Sequence, residues 1–387
     1  MSAKHLLNDM IQTIPPSGIR KFFDLANAME GVVSLGVGEP DFDTPWHIRE
    51  EAIYAIEKGR TFYSANSGLP ELRKQIAAYL KRRFQLEYHW DREILVTVGG
   101  SEAIDITFRS ILNPGEEVIL LSPGYVAYEP CIRLAGGIPV VVELTEENEF
   151  KLKKEQLQKA ITPKTKAILM NFPGNPTGGV MTREDLAEIV PVLAEAGIAI
   201  VSDEIYAELT YSGKHCSIAE FEEVRDQVIL ISGFSKAYSM TGWRLGYIAA
   251  HEDLIGSMLK IHQYAIMCAT TISQYAGIEA MHRGDRDVEM MKESFEQRRN
   301  FIVNGLNRLG LKCPMPQGAF YVFPSIRHTG MTSEQFCERL LEQEKVAVVP
   351  GTAFGSSGEG FVRISYAYSI DEIKAALQRI ERFLKSL

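Results

Sequence analysis

The 387-residue chain is 45% hydrophobic and 24% charged, the balance of a globular protein with a large core and not of a disordered or fibrous one. Lys and Arg total 41 against 50 Asp and Glu, a net charge of −9. That balance gives no general attraction to nucleic acid or an anionic membrane, but leaves room for a small anion in a local pocket. Cys131, Cys216, Cys268, Cys313 and Cys337 are scattered without a C-x-x-C pair, so neither a metal cluster nor a disulfide framework is expected. Residues 1–13 lack a secretory apolar core and no apolar run spans a membrane, which makes the cytoplasm the expected address.

Residues up to about 45 are rich in turn formers, with Pro15-Pro16-Ser17-Gly18 and Gly36-Val37-Gly38-Glu39-Pro40. From there β and α patterns alternate. Apolar, β-branched runs at 94–98, 118–121, 138–142, 167–170, 198–201, 228–231 and 245–249 predict seven strands, separated by amphipathic stretches such as 102–112 and 183–196. The pattern predicts an α/β fold: a mainly parallel seven-stranded sheet with helices on both faces. A helical segment at 288–309, short strands at 319–323, 346–349 and 361–365, and an amphipathic helix at 371–384 follow. These predict a large domain over 46–290 and a smaller α+β domain built from 1–45 and 291–387.

In such a sheet ligands sit beyond the carboxyl ends of the strands, so the residues after each run matter most. Gly99-Gly100-Ser101-Glu102 opens a helix, where free amides bind phosphate, although Ser101 on its own reads first as an N-cap and only second as a ligand contact. Tyr125, after the second run, reads as a ring-stacking or a half-buried aromatic residue. Asn175 precedes Pro176, which biases its backbone toward an extended form. Asp203 follows the fifth run, as a helix cap or an electrostatic group. Lys236 follows the sixth in a turn of small residues, with Arg244 downstream; a lysine beside another cation can act as an amine nucleophile.

Taken together, Gly-Gly-Ser-Glu-Ala, Asn-Pro-Thr-Gly, Ser-Asp-Glu-Ile-Tyr and Ser-Lys-x-x-x-Met-x-Gly-Trp-Arg-Leu-Gly resemble the pyridoxal 5′-phosphate (PLP) aminotransferases of fold type I, class I/II. The likeness runs from about Ser17 to the C-terminus and is greatest to the bacterial branch with aspartate and N-acetyl-diaminopimelate aminotransferases. It implies PLP bound covalently at Lys236, with Asp203 facing the ring nitrogen. Asn175 and Tyr206 are implied at the phenolic oxygen and Tyr125 on the ring. Ser101, Glu102, Ser235 and Arg244 are implied around the phosphate. Gly233 stands where many relatives carry a hydroxyl residue. Arg363 and Gly38 resemble the groups that bind a substrate α-carboxylate, beside Tyr125 and Asn175. Tyr63, within Gly-x-Pro-Glu-Leu-Arg context, resembles the tyrosine that reaches the neighbouring subunit's phosphate, which implies a homodimer with shared sites. Residues 17–20 lie where relatives carry a lid, and the glycine-rich stretch 351–358 reads as a second flexible rim.

The implied activity is transfer of an amino group from an L-amino acid to a 2-oxo acid, with 2-oxoglutarate as the expected acceptor. Two rivals share the fold: a C–S or other lyase that keeps PLP through every turnover, and a PLP-sensing regulator without turnover. Neither a nucleotide-binding G-x-x-x-x-G-K-[ST] stretch nor a G-x-S-x-G elbow occurs.

Overall fold

Strand β1 (Val33–Ser34) lies outside the main sheet, and the seven expected runs follow it as strands of one sheet. They are β2 (Ile94–Thr97), β3 (Glu117–Ser122), β4 (Ile138–Glu143), β5 (Thr165–Asn171), β6 (Ala199–Asp203), β7 (Val228–Gly233) and β8 (Gly246–Ala249). This computed structural model describes residues 3–16, 18 and 29–387. The sheet order is β2-β8-β7-β6-β5-β3-β4, with β8 antiparallel to both neighbours and the other pairs parallel.

Alternation along the strands feeds two separate cores. Ile168, Ile200 and Leu230 face one side, with Leu186, Ile189 and Leu193 of the helix Arg183–Ala196. Leu169, Val201 and Ile229 face the other, with Ala103, Ile104 and Phe108 of the helix Gly99–Ile111. The helix Arg183–Ala196 has the bounds expected from its pattern because both ends are marked. Thr182 and Asp185 form a reciprocal cap at its start, and Gly197 ends it with φ of 63°.

The helix Gly99–Ile111 starts three residues before the expected 102. Its N-cap is Val98, so Ser101 lies inside the first turn and is not the cap. Close backbone packing explains the shift. A Cβ on Gly246 would lie 2.7 Å from the carbonyl carbon of Gly99, and one on Gly233 would lie 3.0 Å from the Gly246 Cα. Glycine at 246 and 233 lets the helix end sit directly on the ends of β8 and β7, and accounts for Gly233 where many relatives carry a hydroxyl residue.

The chain then builds a second layer. Strands β9 (Tyr321–Val322), β10 (Val346–Ala347), β11 (Val349–Pro350) and β12 (Val362–Ser365) complete the set. The single strand expected at 346–349 is two. Val346 pairs with Val33 of β1, whereas Val349 pairs with Arg363 of β12. The three-stranded sheet has the order β11-β12-β9, so Arg363 stands on its middle strand. Leu35, Phe295, Phe320, Leu340, Ile364 and Phe383 share the core beneath it. The helix Asp285–Arg308 belongs to both layers: Val288 packs in the first core and Met291 in the second. The last helix, Ile370–Lys385, is capped by Ser369 and Glu372 and buries Ile373, Ala376, Ile380 and Phe383.

Candidate active site

Sheet register brings the candidate residues to one edge. Asn171 at the end of β5 is level with Asp203 at the end of β6, and Asp203 with Ile231 of β7. Thr97, Gly246 and Gly233 form a second level. Lys236 and Arg244 lie in the segment that joins β7 to β8 at this edge, and Arg363 arrives from the smaller sheet.

Asp203 is buried at 5% exposure. The Tyr128 hydroxyl donates to its Oδ2 at 2.7 Å and the Ile205 N–H to its Oδ1 at 3.1 Å. Loss of water pushes its carboxyl up to about 6; these two hydrogen bonds and Lys236 oppose the rise, and Glu204 adds to it. Asn171 Nδ2 donates to the Asp203 carbonyl at 2.9 Å, and its Oδ1 accepts from the Asn175 N–H at 3.0 Å. One side chain thus fixes two candidate residues.

Lys236 directs its amine to the Gly38 carbonyl, 5.9 Å from the centre of the Tyr206 ring and 5.7 Å from that of Phe320. Burial pushes its pKa down to about 8; Glu39 and Asp203 hold it up, and Arg363 and Arg244 push it further down. Such an amine is neutral often enough near pH 8 to serve as nucleophile and base. Gly38 has a steric reason to be glycine, since a Cβ there would lie 2.3 Å from the Tyr321 hydroxyl.

Arg363 is 2% exposed. Its Nη1 donates to Asn175 Oδ1 at 2.9 Å and its Nη2 to the Gly36 carbonyl at 2.6 Å, while its buried Nε has no partner among the described residues. The Tyr321 and Phe354 rings lie 4.5 and 4.8 Å from the guanidinium carbon. The described residues place no carboxylate within ion-pair distance of it. A buried cation with an open donor and no counter-charge is costly unless an anion completes it, and a planar fork suits a carboxylate.

At the other end of the site, Arg244 holds a left-handed backbone (φ 50°), and its Nη1 donates to the Thr241 carbonyl at 3.0 Å. A Cβ on Gly99 would lie 2.5 Å from its Nη2, so the guanidinium rests on the helix end itself. The first amides of that helix have no intrahelical acceptor. Ser101 is exposed there, and Ser235 is buried at the start of the Lys236 turn. Free amides and a guanidinium at the helix end, with a buried carboxylate and a desolvated lysine at the same sheet edge, fit a cofactor that carries a phosphate and a protonated ring nitrogen.

Tyr206 is buried among these groups, with its hydroxyl 2.7 Å from that of Tyr321. Tyr125 packs edge-on against Tyr128 with ring centres 5.4 Å apart; burial raises its pKa, and the charges of Asp203, Arg363 and Arg244 reach it. Tyr63 is not brought to this site: it is 81% exposed. Of the stretch 17–20, Ser17, Ile19 and Arg20 lie outside the described residues, while a Cβ on Gly18 would lie 3.4 Å from that of Ala353.

The stretch 351–358 is a packed wall where a flexible rim was expected. The Gly124 N–H donates to the Phe354 carbonyl at 2.9 Å, and Ser122 and Ser357 hydroxyls meet at 2.7 Å. A Cβ on Gly355 would lie 2.3 Å from Ser122 Oγ. Its glycines serve close approach, and place Phe354 under Arg363.

Sequence reasoning missed Tyr128, Tyr321 and Asn171. Asn171 stands at a strand end next to a recognised motif and was open to detection. The two tyrosines meet partners 75 and 115 residues away in the chain; Tyr128 follows Tyr125 by three residues, and Tyr321 has no local motif.

Residues 30–380 match the family described as aminotransferase class I and II. The chain is 54% identical to YugH of Bacillus subtilis (strain 168), named as an aminotransferase, over 98% of both chains. It is 44% identical to aromatic-amino-acid aminotransferase 2 of Thermococcus litoralis, again over 98% of both. Among solved structures, the aspartate aminotransferase of Thermus thermophilus with maleate superposes with a TM-score of 0.93, at 39% identity, covering 97% of this chain and 99% of that one.

Proposed function

This chain belongs to the class I and II aminotransferases, and from that premise we propose a role for each group in the site. The enzyme transfers an amino group between an amino acid and a 2-oxo acid and depends on PLP. When bound, PLP supplies the carbonyl carbon that receives the amino group and a ring that withdraws electrons from the substrate α-carbon.

The observation that carries the assignment is the Lys236 amine at the Gly38 carbonyl, on the sheet edge that also carries the buried Asp203 carboxylate, with its pKa pushed down to about 8. Lys236 would hold the cofactor covalently and, once released, move a proton to and from the α-carbon; tethering makes this an intramolecular transfer. Asp203 would hold the ring nitrogen protonated, in a position fixed by Tyr128 and the Ile205 amide. Asn175 and Tyr206 would face the phenolic oxygen, Tyr125 the ring, and Arg244, Ser235 and the Ser101 and Glu102 amides the phosphate. Arg363 would bind the substrate α-carboxylate beside Gly38.

Arg363→Lys is expected to raise KM for both amino acid and oxo acid by ~30-fold or more, with a smaller effect on kcat, because a buried charged fork loses one of its donors (~2 kcal/mol). Steady-state kinetics with unchanged KM would overturn the carboxylate assignment.

We further infer a homodimer with shared sites. Phe62 and Tyr63 are each 81% exposed and Tyr264 88%, an apolar surface a monomer rarely presents. The Tyr63 loop is tied at both ends to one segment, by Asn66 Nδ2 to the Met267 carbonyl and Thr271 Oγ1 to the Phe62 carbonyl, each at 2.7 Å. The division into 46–290 and a smaller unit of 1–45 and 291–387 is supported by Leu35 sharing a core with Phe295 and Phe383. The helix Asp285–Arg308 would carry the chain across that boundary. Five cysteines without disulfides favour a reducing compartment, the cytoplasm.

We propose 2-oxoglutarate as the acceptor. The test is to incubate the holoenzyme with a panel of L-amino acids and 2-oxoglutarate and to measure its mass by sedimentation. The expected result is one keto acid per glutamate formed, without ammonia or carbon dioxide, from a particle of twice the chain mass. Transfer only to a different oxo acid would overturn the acceptor, and full activity in a monomer would overturn the shared site.

A further inference from the structure

The first turn of the helix Gly99–Ile111 carries a carboxylate of its own. Glu102 Oε2 accepts from the Val98 N–H at 2.5 Å, which closes the turn, and Oε1 accepts from His262 Nδ1 at 2.6 Å. The pair is enclosed: the His262 side chain is 0% exposed and that of Glu102 9%. A carboxylate only accepts, so Nδ1 carries the proton. His262 Nε2 is buried without a partner, and Glu102 is therefore the sole polar anchor of the ring among the described residues.

This arrangement meets a specific difficulty. A carboxylate in the first turn is favoured by the helix dipole, but it competes for the same amides and positive potential that a phosphate needs. Here both of its oxygens are committed to the protein, one to the backbone that precedes the turn and one to an imidazole on a second helix, Glu252–Ala265. The turn is thereby tied to that helix.

Resting on the reading of the Gly99–Glu102 turn as the phosphate cradle, we propose that His262 is a positioning residue for the cofactor phosphate. It acts through Glu102, holding that carboxylate away from the incoming anion and the turn in its anion-binding shape. Without the imidazole, Glu102 loses a partner, and the phosphate meets an uncommitted carboxylate at the helix end.

The experiment compares PLP with pyridoxal, which lacks the phosphate, on the full-length protein freed of cofactor. His262→Leu is expected to weaken PLP binding by about tenfold, the usual consequence of leaving a buried acceptor unpaired, and to change pyridoxal binding less than twofold. His262→Phe, which keeps the ring volume, is expected to behave alike, so that a folding failure of one variant does not decide the matter. His262→Asn, which retains a donor, is expected to restore most of the affinity. An equal loss for both ligands would mean a general structural role and overturn the proposal, as would an unchanged preference for PLP. Wild-type protein that binds pyridoxal as tightly as PLP would instead overturn the phosphate-cradle reading itself.

Discussion

Lys236→Ala is expected to lower transamination by at least about 10⁴-fold, the upper range for losing a positioned acid–base group, and to leave the fold intact. The reason for the asymmetry is local. Among the described residues the lysine makes one hydrogen bond, to the Gly38 carbonyl, and no ion pair. Its amine has lost water without gaining a close carboxylate, which is why its pKa falls to about 8. Removing it therefore relieves a desolvated charge, and the unfolding temperature is expected to move little. Lys236→Arg is expected to be equally inactive, because a guanidinium stays protonated and cannot accept the α-proton. Wild-type rates in either variant, with cofactor present, would remove Lys236 from the chemistry.

Asp203→Asn is expected to move stability and activity in opposite directions. The folded carboxyl titrates at about 6, whereas an unfolded Asp titrates near 3.9. The folded state thus holds its proton more tightly, and the stability this gives is fully present below about pH 4 and lost as pH rises through about 6. At neutral pH the two-unit difference corresponds to at most ~3 kcal/mol. The cofactor-free variant is therefore expected to melt higher than wild type at pH 7 and level with it at pH 4. Its amide can still accept one hydrogen bond, from Tyr128 or Ile205. Activity is expected to fall by two or more orders of magnitude, because a neutral amide cannot hold a ring nitrogen in its cationic form. A variant with normal turnover, or one less stable than wild type across this pH range, would make Asp203 a structural residue.

The large sheet was legible because each strand is a short apolar run bounded by turn formers, and a parallel sheet buried on both faces leaves that signature. Lys236, Asp203, Asn175 and Arg244 were legible because each follows or adjoins such a run. The smaller layer was harder. Its strands are two to four residues long, and Val346 and Val349 serve different sheets although one apolar run contains both. Tyr321 was not legible at all, since nothing near it in sequence marks it, and Tyr128, although three residues after Tyr125, was not legible because its partner is set by tertiary packing. The stretch 351–358 misled for a physical reason: glycine allows mobility and close packing alike, and composition does not distinguish the two.

The contact of Gly99, Gly246 and Gly233 has a consequence for attempts to retune this enzyme. Three segments meet there with no side chain between them, so the distance from the lysine turn to the helix end is set by main chain alone. A library that varies these positions one at a time would spend its diversity on collapsed variants: a carbon added at 233 or 246 meets backbone that cannot step aside, and one at 99, where φ is 73°, meets the Arg244 guanidinium. Variation is better spent on Tyr125 and Phe354, whose side chains lie against Tyr128 and Arg363 without setting that frame. The least chemically expressive residues of the site are thus the ones to hold fixed while its preference is changed.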